Sequence, residues 1–281
     1  MKLLRIGNAN SEKPAILDDN GIVKDLSSII EDFNPQTLNF NTLEIIKKTD
    51  LRKLPEIANT ERIGACVLNP QKFVGIGLNY ASHAEETGTT PPKEPIVFFK
   101  SINSISGPND IVYLPKGSSK SDWEVELGVI IGKTAKDIVE YKAMDHIFGF
   151  CIVNDISERE YQLERSSGQW DKGKAFDTFG PIGPYIVTKD EIKDVQNINL
   201  KLKLNQKIMQ KGCTKDMIFT VTYLVSYLSY FMTLKPGDII TTGTPPGVGM
   251  GRNPQVFLRN GDEMILTIDH LGKQKQKVIS N

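Results

Sequence analysis

The sequence predicts a mostly β protein with some α: a small α+β N-terminal domain over residues 1–70 and a larger β-rich domain over residues 71–281. Three observations carry that prediction. From Phe73 onward the apolar runs are short and separated by Gly, Pro, Asn and Asp, which leaves little room for helices. Near the start, Asp18-Asp19-Asn20-Gly21 lies between Ala15-Ile16-Leu17 and Ile22-Val23, and Asn-Gly readily takes the positive φ of a hairpin turn. Only one long stripe has helical period: Met217, Ile218, Val221, Leu224, Val225, Leu228, Phe231 and Met232. A length of 281 residues accommodates two domains or one large one.

Taken in order, residues 2–6 alternate enough for a strand, the hairpin follows, and short helices are expected over 26–33 and 42–48. The join to the second domain falls at Leu68-Asn69-Pro70-Gln71-Lys72. Strands are expected over 96–99, 125–131, 147–154, 182–188, 200–204, 239–242 and 263–268. The helix of the 217–232 stripe ends before Lys235-Pro236-Gly237-Asp238, which turns the chain into the next strand.

Composition narrows the function classes. The 34 basic residues balance the 34 acidic ones, so no net charge draws the chain to nucleic acid or to acidic lipid. At 39% hydrophobic and 24% charged residues, it is too apolar for a disordered protein. Cys66, Cys151 and Cys213 form no close pair and no zinc knuckle, as expected of reduced thiols in the cytoplasm. The first eight residues lack the apolar core of a signal peptide, so export is not expected. The longest uncharged run, 217–234, carries Thr220, Thr222, Ser226, Ser229 and Thr233, which argues against a membrane span.

Several segments carry possible chemistry. In Asp122-Trp123-Glu124-Val125-Glu126 the two glutamates stand at i and i+2, so on a strand both project from one face. Two like charges side by side call for a cation, and hard oxygen donors suit Mg²⁺, Mn²⁺ or Ca²⁺; the alternative is a solvated strand face. Asp155 ends the apolar run Phe148 to Asn154, either as a third ligand or as the N-cap of a helix over 156–162. His83 and Glu86 are i and i+3 in a glycine-bounded segment, so one helical turn brings them together as a base and its orienting carboxylate, or as a plain surface pair. His146 and His270 stand in structural contexts. Lys174 closes a near miss for a phosphate-binding loop, Gly168 to Lys174, in which Ala175 replaces the required hydroxyl. Gly128 to Thr134 is a second near miss, and Gly75-x-Gly77 lacks the third glycine of a dinucleotide site. Thr241 to Gly249 reads as a strand entering a Thr/Gly/Pro loop, suited to a small anion or to an ordinary turn.

Together these segments resemble the fumarylacetoacetate hydrolase family. The resemblance rests on Gly77-Leu78-Asn79-Tyr80-x-x-His83, Glu94-Pro95-x-x-Phe98-x-Lys100, Glu124-x-Glu126-Leu127-Gly128 and Asn154-Asp155-Ile156-Ser157-x-Arg159. It continues through Gly173-Lys174-Ala175-Phe176-Asp177-x-x-x-Pro181-x-Gly183-Pro184 and Pro236-Gly237-Asp238-Ile239-Ile240-x-Thr242-Gly243-Thr244-Pro245-x-Gly247-Val248-Gly249. These pieces stand in the family's order across residues 73–250, and the small N-terminal module is similar to the one that precedes this domain in many members.

The resemblance implies a mixed β-sandwich roll, usually a homodimer, that binds Mg²⁺ or Mn²⁺, with Ca²⁺ as a substitute, through Glu124, Glu126 and Asp155. It further implies that His83 and Glu86 form a lid dyad that activates water, that Lys174 is the active-site lysine, and that Gln162 and Thr244 contact the substrate. The implied substrate is a small keto acid: a 2,4-dioxo acid, either an acylpyruvate or a 2,4-diketo-3-deoxy sugar acid such as the rhamnonate derivative, cleaved to pyruvate and a carboxylic acid. Other members of the family decarboxylate or tautomerise oxaloacetate, isomerise hydroxy-dienoates or carry ureidoglycolate lyase labels, and fold alone does not choose among these reactions. A metal-dependent binding protein that keeps the fold without catalysis is the remaining alternative.

Overall fold

A computed structural model describes residues 1–58 and 61–280. The chain opens with strands β1 (Lys2–Ile6), β2 (Lys13–Leu17), β3 (Val23–Asp25) and β4 (Glu56–Ile57), with helix α1 (Phe40–Lys48) between the last two. Asp18 closes the β2–β3 hairpin by accepting from the amides of Asn20 and Ile22. No helix forms over 26–33. That segment makes only isolated turns, Ile29 and Ile30 N–H to Leu26 O, because Leu26, Ile30 and Phe33 all turn into the core.

The second part runs β5 (Phe73–Gly77), helix α2 (Ala81–Glu86), β6 (Ile96–Phe99), β7 (Ile105–Ser106), β8 (Val112–Leu114), β9 (Ser121–Asp122), β10 (Val125–Ile131), β11 (Ile147–Asn154) and β12 (Ser157–Glu158). A π-helical turn (Glu160–Glu164), helix α3 (Asp171–Lys174), β13 (Gly180–Thr188), β14 (Asn199–Leu204), β15 (Lys207–Cys213), helix α4 (Val221–Phe231), β16 (Ile239–Thr241), β17 (Glu263–Ile268) and β18 (Gly272–Ser280) complete it. The seven expected strands are present. Helix α4 is shorter than its apolar stripe: Thr220 caps it by accepting from Tyr223 N–H, while Asn79 accepts from the amides of Ile218 and Phe219 and holds 217–219 out of the helix.

Two sheets face each other, and the fold is mostly β. The larger runs β4-β3-β2-β1-β13-β11-β10-β16-β5-β6, with β7 beside β13; the smaller runs β15-β14-β17-β18-β8. The pairing of Lys2 with Val187 and Leu3 with Ile186 carries the sheet without interruption from the N-terminal strands into the rest. Strand β10 is buried on both faces. Val125, Leu127, Val129 and Ile131 share a core with Leu200, Leu202 and Leu266 of the opposing sheet. On the other face Ile130 joins a core with Leu3, Phe33, Cys66 and Val153, covered by the N-terminal segment. Alternation places Glu124 and Glu126 on that second face, beyond the edge of this cover.

Candidate active site

Glu124 and Glu126 flank Val125 at the start of β10, and the pairing of Val125 with Asn154 brings the end of β11, and with it Asp155, alongside. The three carboxylates are buried, and one oxygen from each lies within 4.8 Å of the others. They are not a solvated strand face. Nor does Asp155 cap a helix: the chain after it enters β12, and the π-helical turn begins only at Glu160. Asp155 is instead held by two ammonium groups, Lys100 Nζ at 2.7 Å and Lys174 Nζ at 2.7 Å.

Cations surround the cluster unevenly. Lys174 Nζ donates to Glu124 Oε2 at 2.8 Å as well as to Asp155, and Arg159 bridges Glu124 Oε1 at 2.8 Å and Asp122 Oδ2. Glu126 has no such partner among the described residues; it accepts only from Thr241 Oγ1 and the Gly243 amide. The consequence is opposite for neighbouring groups. Burial would raise the Glu124 carboxyl, but Lys174 and Arg159 beside it, with His83, outweigh burial and hold it far below the usual range. Burial raises Glu126 well above the usual range, and the charges of Asp155 and Glu124 add to the effect. Burial lowers Lys174, yet Asp155 and Glu124 overcome it and keep the amine charged. Burial dominates for Lys100, whose pKa falls despite Asp155.

These residues fit a divalent cation. Three converging hard-oxygen donors, one of them a buried carboxylate without a cationic partner among the described residues, form an electrostatic deficit that a divalent cation would fill. The acidic cluster is thus a site that could hold a divalent metal.

Across from it, His83 on α2 places Nδ1 2.8 Å from Glu86 Oε1. A carboxylate only accepts, so Nδ1 carries a proton, and in the neutral ring the lone pair is then on Nε2. Glu86 is itself fixed: its two oxygens accept from Gly247 N–H at 2.8 and 3.0 Å, and from Val248 N–H. Gly247 has φ of 110°, and a Cβ there would stand 2.0 Å from Met209 O, so only glycine presents this amide. The next two amides, of Gly249 and Met250, donate to Asp122. One short loop therefore joins the orienting carboxylate of His83 to Asp122, and through Arg159 to Glu124.

His83, Glu124, Glu126, Lys174, Gln162 and Thr244 line one cavity of about 130 Å³. Gln162 accepts from Arg159 at Oε1 and leaves its amide nitrogen without a partner among the described residues. Thr244 donates its hydroxyl to Val125 O and accepts from Gln210, so its free group is the main-chain N–H. The residues named from sequence thus lie together. His146 bonds only the carbonyls of Lys133 and Thr134, outside this cavity. Lys100, Asp122, Arg159, Thr241 and Gly243 were not singled out as site residues. A lysine directly after the apolar strand β6 and an arginine four residues after Asp155 are the local signals that could have found two of them.

Residues 72–279 match the family described as fumarylacetoacetate (FAA) hydrolase, C-terminal. The chain belongs to the fumarylacetoacetate hydrolase family. A Burkholderia ambifaria protein whose name goes no further than hydrolase is 56% identical over 277 residues, 98% of each chain. The maleylpyruvate hydrolase of Sphingobium sp. SYK-6, solved with manganese(II) and pyruvate, is 27% identical with a TM-score of 0.84, covering 100% of both chains. The 2-hydroxyhepta-2,4-diene-1,7-dioate isomerase of Mycobacterium marinum is 31% identical with a TM-score of 0.79, covering 100% of this chain and 99% of its own. Among the described residues no helix is long and apolar enough to cross a membrane. Family membership makes this an enzyme fold that acts on small molecules, and the relatives' names support hydrolase chemistry in general.

Proposed function

We propose that the protein is a hydrolase, dependent on Mg²⁺ or Mn²⁺, that cleaves the C3–C4 bond of a 2,4-dioxo acid to pyruvate and a carboxylic acid. The observation that carries this reading is His83, held by Glu86 and lining the same cavity as Glu124, Glu126 and Asp155's lysine partner Lys174. The manganese and pyruvate of the Sphingobium enzyme support the metal and the product.

Glu124, Glu126 and Asp155 would hold the cation. When bound, it supplies fixed positive charge for the carboxylate and 2-oxo oxygens of a keto acid. His83 Nε2 takes a proton from water while Nδ1–H stays on Glu86, whose charge stabilises the imidazolium. The hydroxide adds to C4, the C3–C4 bond breaks with its electron pair on C3, and the proton on His83 returns to that carbon. Water and dioxo acid are thereby converted to one pyruvate and one acid. Lys174 spends two of its three N–H bonds on Glu124 and Asp155, which leaves the third for negative charge developing on the substrate. Gln162 Nε2 and the Thr244 amide are the donors left for the substrate's own oxygens.

Turnover of a 2,4-dioxo acid with Mn²⁺ tests the reading. His83→Ala should lower kcat about 10²–10⁴-fold, the usual worth of a general base, and Glu126→Ala should abolish metal-dependent turnover. If neither variant is slower than wild type, the assigned site is wrong. The isomerase among the structural neighbours favours a second reading, proton movement on a hydroxy-dienoate, which would show as an isomer without cleavage. A homodimer and a cytoplasmic location belong to the same proposal; light scattering and fractionation check them.

A further inference from the structure

The apolar wall of the cavity bears on which acid is released. Resting on the hydrolase reading above, we infer that the group on C4 of the substrate is apolar and uncharged, a short alkyl or aryl tail rather than a hydroxylated or carboxylated one. The wall starts at the reacting end, where Lys174 Nζ stands 4.8 Å over the Phe98 ring, and continues to Trp170, whose ring centroid is 5.8 Å from that of Phe98. Depth follows burial. Lys174 and Phe98 are buried, Leu78, Trp170 and Met250 are half-buried, and Leu163 is 43% exposed at the mouth.

Apart from Gln162 Nε2 and the Thr244 amide, which the hydrolase reading gives to the substrate's own oxygens, the polar groups of the cavity are already engaged. Arg159 is committed to Asp122, Glu124 and Gln162, and His83 to Glu86, so neither is free to pair with a second carboxylate on the tail. Just beyond α2, Thr87 and Thr89 each donate to Ala84 O at 3.0 Å and stand 3.1 Å from one another. A polyhydroxylated tail would shed its water against Leu, Trp and Met side chains with nothing to replace it, and a carboxylate would do so at greater cost. An alkyl tail gains by the same burial.

The test compares kcat/KM on five substrates with the Mn²⁺-loaded full chain. Along 2,4-dioxopentanoate, 2,4-dioxohexanoate and 2,4-dioxoheptanoate, each added methylene should raise kcat/KM about fourfold. The carboxylated 2,4-dioxoheptanedioate and the hydroxylated 5,6-dihydroxy-2,4-dioxohexanoate should fall at least about tenfold below 2,4-dioxoheptanoate. Leu163→Lys, at an exposed position, should raise the rate on the dioate relative to 2,4-dioxoheptanoate. If the dihydroxy acid or the dioate matches or exceeds the alkyl series in wild type, the tail inference is overturned while the hydrolase reading stands. If none of the five yields pyruvate, the hydrolase reading itself fails and the tail inference falls with it.

Discussion

Glu126 is almost fully buried at the start of β10. It is the buried carboxylate of the cluster that no lysine or arginine among the described residues pairs with, and two like charges press on it. Replacing it by glutamine keeps the shape and removes the repulsion with Glu124 and Asp155. The metal-free Glu126→Gln protein should therefore melt no lower than wild type near neutral pH. Metal at 100 times its Kd should stabilise wild type by about 2.7 kcal/mol and leave the variant unmoved. Equal thermal shifts in the two proteins would remove Glu126 from the ligand set. Much of this site was legible in the sequence, because the i, i+2 spacing of Glu124 and Glu126 and the i, i+3 spacing of His83 and Glu86 are local. Lys100 and Asp122 were not, since their roles come from partners 55 and 37 positions away that only the fold brings near.

At the scale of elements, apolar alternation identified the buried strands and failed where the inward positions are polar. Strand β18 reads Gly-Lys-Gln-Lys-Gln-Lys-Val, without apolar alternation, yet Gln274 and Gln276 form its fully buried face together with Val278. Gln274 Nε2 donates to Ile152 O and Gly183 O; Gln276 Nε2 donates to Pro108 O, and its Oε1 accepts from Asn154. These amides satisfy carbonyls at the meeting of the two sheets, beside the end of β11 that delivers Asp155. Gln274→Leu should cost about 1–3 kcal/mol in urea unfolding, because the carbonyls it serves stay buried and lose their donor. A change within about 0.5 kcal/mol would mean that those carbonyls find other partners. The expected helix over 26–33 failed for a related reason: its apolar residues answer to tertiary packing of isolated turns rather than to a helical face.

For the whole molecule, the sheet passes from the N-terminal strands into β13 and β11 without a break, and one core holds Phe33 and Leu3 against Ile130 and Val153. We propose that residues 1–70 act as a module that covers the face of β10 and β11 from which the metal ligands emerge. Phe33→Ala should then cost about 3–5 kcal/mol, and the chain should still unfold in one transition, with the N-terminal segment and the site melting together. Two separated transitions would show that the module does not support the site. The change of sequence character at residue 70 was readable; the continuity across it was not, because strand pairing between Lys2 and Val187 leaves no local trace.

In the proposed reaction a base held by Glu86 delivers water to a dioxo acid beside a buried divalent-metal site. Product analysis by NMR on a 2,4-dioxo acid, with oxaloacetate in parallel, tests it most directly. The account predicts one pyruvate and one carboxylic acid per substrate consumed, dependent on Mg²⁺ or Mn²⁺ and lost in His83→Ala. Carbon dioxide from oxaloacetate with the dioxo acid untouched, or an isomer with every carbon retained, would contradict it.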